Sequence, residues 1–109
     1  MAIPEPQNKR LLVLFDLPTT GKAERKAAAG FRKDLIGNGF CMMQYSVYSR
    51  HCSTDAVVQT HISRLRRYVP SKGSVRILVI TEKQFEKMEI LVGEETKNEK
   101  QAAEQLSFL

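Results

Sequence analysis

The segment that decides the fold is Phe40–Arg50, with the sequence FCMMQYSVYSR. Apolar and polar side chains alternate along it, which is the period of a β-strand with one buried and one exposed face. This alternation places Tyr45 on the apolar face and predicts a packing role for it, whereas Tyr48 falls on the polar face. Eleven residues are long for one strand, so we expect a hairpin or bulge near Tyr45 and Ser46 to divide the segment into two strands.

A strand and a helix are predicted before this segment. The apolar run Leu11–Phe15 is typical of a strand that is buried on both faces. Thr19 or Thr20 is expected to cap the helix, which ends where glycine recurs at 37–39. Its apolar positions recur every fourth residue, at Ala23, Ala27, Phe31 and Leu35.

A second helix and further strands are predicted after the segment. Ser53 or Thr54 caps the helix, and arginines cluster in its last turns, where they suit the helix dipole. Val75–Ile80 is typical of a strand, and Met88–Val92 of a shorter one. The apolar positions of this helix are Val58, Ile62, Leu65 and Val69, and its arginines are Arg64, Arg66 and Arg67.

These elements predict an α+β fold with the ferredoxin-like order β-α-β-β-α-β. In this fold both helices lie on one face of a four-stranded antiparallel sheet. Met88–Val92 is then an extra C-terminal strand, either at the sheet edge or pairing with a second copy. We divide the chain into a flexible leader at 1–8, the domain at 9–93, and a polar acidic tail at 94–109 whose apolar end can pair with a partner's sheet edge.

Length and charge narrow the classes of function. A chain of 109 residues builds one modest core, so chemistry is expected at a surface or between subunits. The formal net charge is +5, with 15 basic and 8 acidic residues before position 94, and 2 basic and 4 acidic residues from position 94 onward. A basic body suits nucleic acid, although an acidic protein partner or a merely solvated surface has the same charge pattern.

The sequence indicates a cytoplasmic protein. Its two cysteines lack the spacing of a metal or redox motif and are typical of a reducing compartment. The N-terminus lacks the basic and apolar regions of a signal peptide, and no apolar run approaches the length of a membrane span.

Asp16 is the best-placed acid, because it ends the predicted first strand. The residues allow two interpretations of it. A short carboxylate before Pro18 can simply cap a turn. Alternatively, Asp16 from two subunits can share Mg²⁺ across a two-fold axis, since this ion retains water and needs only one or two carboxylates.

Other polar residues support less chemistry. His51 and His61 do not form a ligand pair, and His61 is expected to be partly exposed on its helix. Ser46 and Ser49 have no neighbouring base in the sequence. The arginines and lysines of the helices could follow a phosphate backbone, as could Arg76.

Several stretches together resemble the Cas2 family of CRISPR-associated proteins, in the version found in systems with a single large effector nuclease. The resemblance extends from about Leu11 to Gly93. The matching stretches are LVLFDLP at 12–18, FRK at 31–33, NGFCMMQYSVYSR at 38–50, GSVRIL at 73–78 and MEILVG at 88–93.

The resemblance implies a ferredoxin-like homodimer in which the C-terminal segment pairs with the other subunit. It implies that Asp16 is the metal-binding and catalytic aspartate, with Mg²⁺ as cofactor, for cleavage of RNA or DNA. It also implies an adaptor role, in which the dimer holds double-stranded DNA between dimers of the CRISPR spacer integrase. The candidate contacts to nucleic acid are Arg25, Arg32, Lys33 and Arg50.

Three functional hypotheses therefore stand. We favour the adaptor of spacer acquisition as the biological role, and regard metal-dependent endonuclease activity, on double-stranded DNA or single-stranded RNA, as a biochemical capability. The alternative is a non-catalytic nucleic-acid-binding or toxin-like module with the same fold.

Overall fold

The computed structural model describes residues 7–92. Its sheet has the strand order β2-β3-β1-β4, with every pair antiparallel. The predicted α+β order β-α-β-β-α-β is confirmed, and a short third helix follows it. The elements are β1 (Lys9–Asp16), α1 (Lys22–Gly37), β2 (Cys41–Gln44), β3 (Val47–Cys52), α2 (Asp55–Tyr68), β4 (Ser74–Thr81) and α3 (Glu82–Glu86).

The segment Phe40–Arg50 forms the predicted hairpin, with its turn at Tyr45 and Ser46. A register irregularity between Met42 and Gln44 shifts the pairing of β2 with β3. The expected faces are therefore wrong: Tyr45 is 70% exposed in the turn, whereas Tyr48 is 2% exposed in the core. The prediction from alternation fails for two reasons. Tyr45 lies in the turn, where side chains do not alternate between the two faces of a sheet. The irregular pairing before the turn also interrupts the two-residue period of the strand.

Strand β1 lies between β3 and β4 and is the centre of the fold. Leu11, Val13 and Phe15 point towards the helices, where they pack with Phe31 of α1 and Leu65 of α2. The alternate residues point to the opposite face of the sheet, which neither α1 nor α2 covers. We call this surface the open face.

Helix α1 departs from the predicted pattern at its N-terminal end. Its N-cap is Gly21, which makes no side-chain cap, so the predicted threonine cap is wrong. The buried positions are Ala28, Phe31 and Leu35, whereas Ala23 and Ala27 are exposed. An α-helix has 3.6 residues per turn, so residues spaced strictly four apart move gradually around the helix. The observed buried residues are spaced by three and then by four, which keeps them on the one face that packs against the sheet.

Helix α2 begins as predicted, because the hydroxyl of Thr54 accepts a hydrogen bond from the amide of Val57 at 3.3 Å. Its buried residues include His61, which is only 4% exposed, so the expectation of a partly exposed histidine is wrong. His61 lies between Val58 and Leu65 on the face that packs against the sheet. The imidazole of His61 is therefore buried because its position in the helical repeat is on the apolar face of α2.

The chain after β4 forms α3 rather than leading directly to a strand. A capping box between Thr81 and Gln84 starts this helix. Met88–Val92 belongs to no strand of the described chain, and the apolar side chains of Met88, Ile90 and Leu91 are exposed. The predicted edge strand is therefore absent from the described chain, and pairing of this segment with a second copy stays a prediction.

The ends of the described region bear on the predicted domain division. Gln7 and Asn8, at the end of the predicted leader, hydrogen-bond through their amides to the carbonyl of Ser53. Residues 1–6 of that leader and the predicted tail at 94–109 lie outside the described residues. Within residues 7–92, no helix is long and apolar enough to cross a membrane, and Cys41 and Cys52 are both free.

Candidate nucleic-acid site at the end of β1

Asp16 is the last residue of β1 and is exposed. Its neighbour Phe15 is anchored in the core, so strand alternation places the Asp16 side chain on the open face. It pairs in register with Ser74 at the start of β4. The carboxylate is therefore held at a fixed position on the surface by a buried strand, although it is not itself buried.

Gly73 makes this strand end possible. Its φ of +96° lies in the left-handed region, and a β-carbon at this position would be 2.6 Å from the carbonyl oxygen of Asp16 and 2.9 Å from a methyl group of Leu17. Only glycine allows the backbone to approach so closely. The loop before β4 thus contacts the backbone on which Asp16 is carried.

Arg76 is the basic residue that the sheet register brings to the same face as Asp16. It pairs with Leu14, two residues before Asp16 on β1, and it is exposed. Diagonal neighbours in an antiparallel pair have Cα atoms roughly 7–8 Å apart, which is within reach of a long side chain. A carboxylate and a guanidinium at this end of the open face can together contact a metal ion and a phosphate.

The residues around Asp16 fit Mg²⁺ best as part of a site that a second copy completes. Within residues 7–92, no group of three His, Cys, Asp or Glu side chains could hold a metal ion. Because Mg²⁺ commonly retains several waters and takes one or two protein carboxylates, one Asp16 from each of two chains would be a sufficient protein donor set. A carboxylate oxygen is a ligand that Mg²⁺ prefers. Because each chain supplies a single Asp16, we interpret the site as one that two chains share.

Arg32 does not extend freely into solvent. Its Nε donates to the carbonyl oxygen of Tyr45 at 3.3 Å, and its guanidinium carbon lies 3.9 Å from the centre of the Tyr45 ring. The same guanidinium lies 5.3 Å from the ring centre of Phe15. The structure therefore places this predicted contact on the helix side of the sheet, next to Phe15, whereas the Asp16 side chain lies on the open face.

The other predicted contacts differ in how freely they can bind. Arg50 is half-buried and donates to the carbonyl oxygens of Asn38 and His51 at 2.9 and 2.7 Å, so its guanidinium already fastens the α1–β2 loop. Arg25 donates to the carbonyl oxygens of Thr19 and Thr20, which orders the loop before α1. Lys33 is exposed on α1.

Basic residues also line the outer surface of α2. Arg64, Arg66 and Arg67 are exposed in its last two turns, away from the sheet. They are on the helix layer, whereas Asp16 is on the open face. The structure thus separates a basic helical surface from the carboxylate at the strand end.

A groove near the strand end is too small to be an enclosed active site. It has a volume of about 150 Å³ and is lined by the loop after Asp16, the first turns of α1 and the loop before β4. Small-molecule pockets usually have volumes of roughly 300–1,000 Å³. The exposed surface around Asp16, rather than this groove, is therefore the candidate site.

Sequence reasoning missed the stacked pair Arg32 and Tyr45, because it placed Tyr45 in the core. The signal that could have found it is the position of Tyr45 in the proposed turn, where side chains are usually exposed. The role of Gly73 was also missed, since its close approach joins two segments that are far apart in the sequence.

The fold and site define a small ferredoxin-like α+β protein with a basic surface and an exposed aspartate at the end of its central strand. Residues 9–88 match the family model described as CRISPR associated protein Cas2. The chain belongs to this family.

Curated relatives and a solved structure agree with the assignment. The chain is 46% identical to the CRISPR-associated endoribonuclease Cas2 of Parvibaculum lavamentivorans, over 90% of this chain and 97% of the relative. It is 49% identical to the protein of the same name from Acidovorax ebreus, over 77% of this chain and 82% of that relative. A crystal structure of Streptococcus pyogenes Cas2 matches with a TM-score of 0.60 at 24% identity, over 76% of this chain and 99% of that chain, and thus supports the fold.

Proposed function

We propose that two copies of this chain form a homodimer that cleaves RNA, with Mg²⁺ held by Asp16 from both copies. The observation that carries this proposal is the exposed carboxylate at the end of a buried strand, in a family whose curated relatives are named endoribonucleases. Mg²⁺ commonly takes one or two protein carboxylates, so Asp16 from both copies would be a sufficient protein donor set for a shared ion.

The described surface supports the association of two copies. The outer edge of β4 has no neighbouring strand in the described sheet, and its apolar residues Ile77, Leu78 and Val79 are exposed. The segment Met88–Val92 presents further exposed apolar side chains. In a dimer, the exposed apolar segment of one chain can pair with the free edge of β4 in the other chain. This pairing would bury apolar side chains that are exposed in the single chain.

The chain's own residues would orient the substrate. Arg76 lies on the same face as Asp16 and can hold a phosphate of the backbone. Magnesium, when bound, would neutralise phosphate charge and lower the pKa of a bound water. Asp16 would thus hold the metal, and Arg76 would position the phosphodiester beside it.

Cleavage assays test the nuclease proposal. Labelled single-stranded RNA and double-stranded DNA are incubated with the wild type, with Asp16→Ala and with Asp34→Ala, each with and without Mg²⁺. Asp34→Ala is the matched control, because it removes an exposed aspartate from α1. We expect Mg²⁺-dependent RNA cleavage that falls at least 100-fold in Asp16→Ala only. Equal activity in all three proteins would refute a catalytic metal site at Asp16.

The second candidate function is the adaptor of spacer acquisition, in which the homodimer holds double-stranded DNA together with the spacer integrase. The exposed Arg64, Arg66 and Arg67 favour it, because a basic helical surface can bind a duplex through its phosphates. Charge reversal of these arginines should weaken duplex binding and spacer acquisition, whereas Asp16→Ala should leave both intact. Loss of acquisition in Asp16→Ala despite normal assembly with the integrase would contradict a purely adaptor role.

A further inference from the structure

Tyr45 is an aromatic side chain that the fold leaves in solvent. It lies in the β2–β3 turn and is 70% exposed, although an aromatic ring of this size normally contributes to a core or an interface. One face of the ring is covered by the Arg32 guanidinium at 3.9 Å. With this face covered, the large exposure of Tyr45 leaves the remaining ring surface accessible to a planar ligand.

The position of this ring is fixed before any ligand arrives. Arg32 donates to the carbonyl oxygen of Tyr45 itself and also lies over Phe15, which is buried in the core. The stack Phe15, Arg32 and Tyr45 therefore joins the turn to the body of the protein. A group that is held in place in advance loses little conformational freedom on binding.

The turn that carries this ring is bonded to the strand end that carries Asp16, although the Arg32 guanidinium lies on the helix side of the sheet and the Asp16 side chain on the open face. The carbonyl oxygen of Ser46, next to Tyr45, accepts a hydrogen bond of 3.0 Å from the amide of Phe15. Phe15 directly precedes Asp16 on β1. One hydrogen bond thus connects the turn that carries the ring to the strand end that carries the acid.

We propose that Tyr45, backed by Arg32, is a stacking platform for an unpaired base of single-stranded nucleic acid. The inference rests on the proposed function, in that the ligand is the single-stranded nucleic acid that the protein is proposed to bind. Bases stack on aromatic rings largely without regard to sequence, and a nearby arginine adds attraction to bases and phosphates. In a duplex the bases are already stacked on one another, so the platform selects single strands.

Binding measurements test the platform, with Mg²⁺ removed by chelation so that no metal-dependent cleavage occurs. Fluorescence anisotropy is recorded with single-stranded RNA, with the same RNA made abasic, with single-stranded DNA and with a duplex. The proteins are the wild type, Tyr45→Ala, Tyr45→Phe and Met42→Ala. Met42→Ala is the matched control, because it removes another large exposed side chain from the same hairpin.

The expected result is a loss of about 5- to 100-fold in affinity for both base-bearing single strands in Tyr45→Ala. Tyr45→Phe and Met42→Ala should bind like the wild type, and the abasic RNA and the duplex should not distinguish the proteins. Unequal losses on RNA and DNA would identify which single strand the platform serves.

Three results would overturn the platform. The first is unchanged single-strand binding in Tyr45→Ala, and the second is an equal loss on abasic RNA, which would show that the ring does not act on bases. The third is dissociation of a wild-type dimer by Tyr45→Ala in sedimentation, which would make the ring a contact between copies. A wild-type protein that binds none of the nucleic acids would refute the proposed function itself.

Discussion

Gly73 controls the position of Asp16 from a distant part of the sequence. Its backbone approaches the carbonyl oxygen of Asp16 more closely than any side chain would permit, and its φ of +96° is strained for every other residue. A position without a side chain therefore helps to determine where a catalytic candidate lies.

Gly73→Ala is expected to destabilise the protein. The added β-carbon would lie 2.6 Å from a backbone oxygen, so β4 or the end of β1 must move. We expect a loss of about 2–3 kcal/mol in the free energy of unfolding, together with reduced RNA cleavage. Urea denaturation measures the loss, and Gly30→Ala is the control, because a β-carbon there meets no atom within 4 Å. A change at position 73 no greater than at position 30 would contradict this account.

His61 makes stability depend on pH. Burial lowers the pKa of His61 below its usual value, and the charges of Arg50 and Arg64 lower it further. Its Nδ1 is also buried without a hydrogen-bond partner in the described chain. The unfolded chain therefore takes up a proton on this imidazole at a higher pH than the folded chain.

The free energy of unfolding should accordingly fall as the pH drops through about 6.5, and this contribution should level off below the pKa of the folded protein. Denaturation of the wild type between pH 8 and 5 measures the slope. His61→Gln removes the titrating group, so its stability should vary less with pH over this range. Identical slopes would assign the pH dependence to other groups.

At the level of elements, α3 shows how a very short helix is stabilised. Five residues do not form a stable helix alone. The capping box of Thr81 and Gln84 begins it, Glu82 accepts hydrogen bonds from both Nε and Nη2 of Arg10, and Phe85 packs under the same guanidinium. The hydrogen bond from Arg10 lowers the pKa of Glu82, so the pair stays charged to a more acidic pH than an isolated glutamate would. The contacts of Arg10 in β1 with Glu82 and Phe85 thus hold α3 against the sheet, and α3 is the element that precedes Met88–Val92.

Glu82→Ala should release α3 without unfolding the sheet. The ion pair is partly exposed, so we expect the global stability to fall by less than about 1 kcal/mol. Amide hydrogen exchange in residues 82–86 should nevertheless rise several-fold, because the short helix loses its main anchor. Glu86→Ala provides the control, since it removes a carboxylate from the same helix. Equal exchange in the two variants would show that the Arg10 pair does not hold α3.

At the level of the whole molecule, the single chain exposes apolar side chains both on β4 and on the segment Met88–Val92. The open face and the free edge of β4 lie on the sheet, and Met88–Val92 follows α3. Contiguous exposed apolar side chains are typical of protein interfaces, which is why we propose that two copies associate through them. The Asp16 side chain lies on the same open face, so association through it would also complete the proposed metal site.

Leu78→Arg is expected to weaken self-association. Leu78 is 51% exposed on the open face, so an arginine there leaves the monomer folded but places a charge in the proposed interface. We expect the dimer dissociation constant to rise at least tenfold in sedimentation equilibrium, with a parallel loss of Asp16-dependent cleavage. Ile36→Arg adds the same charge at an exposed apolar position on α1 and should change neither. Dimers of equal strength in the two variants would place the interface elsewhere.

The sequence by itself determined the order of β1 to β4 and the first two helices, the basic character of the body and the place of Asp16 at a strand end. These features follow from local patterns: an apolar run, helical repeats, a hairpin and the charges of the residues. The stacking of Arg32 on Tyr45 and the hydrogen bond from Arg50 to the carbonyl oxygen of Asn38 were visible only in the folded structure. Both contacts join different secondary-structure elements, and local periodicity carries no information about such contacts.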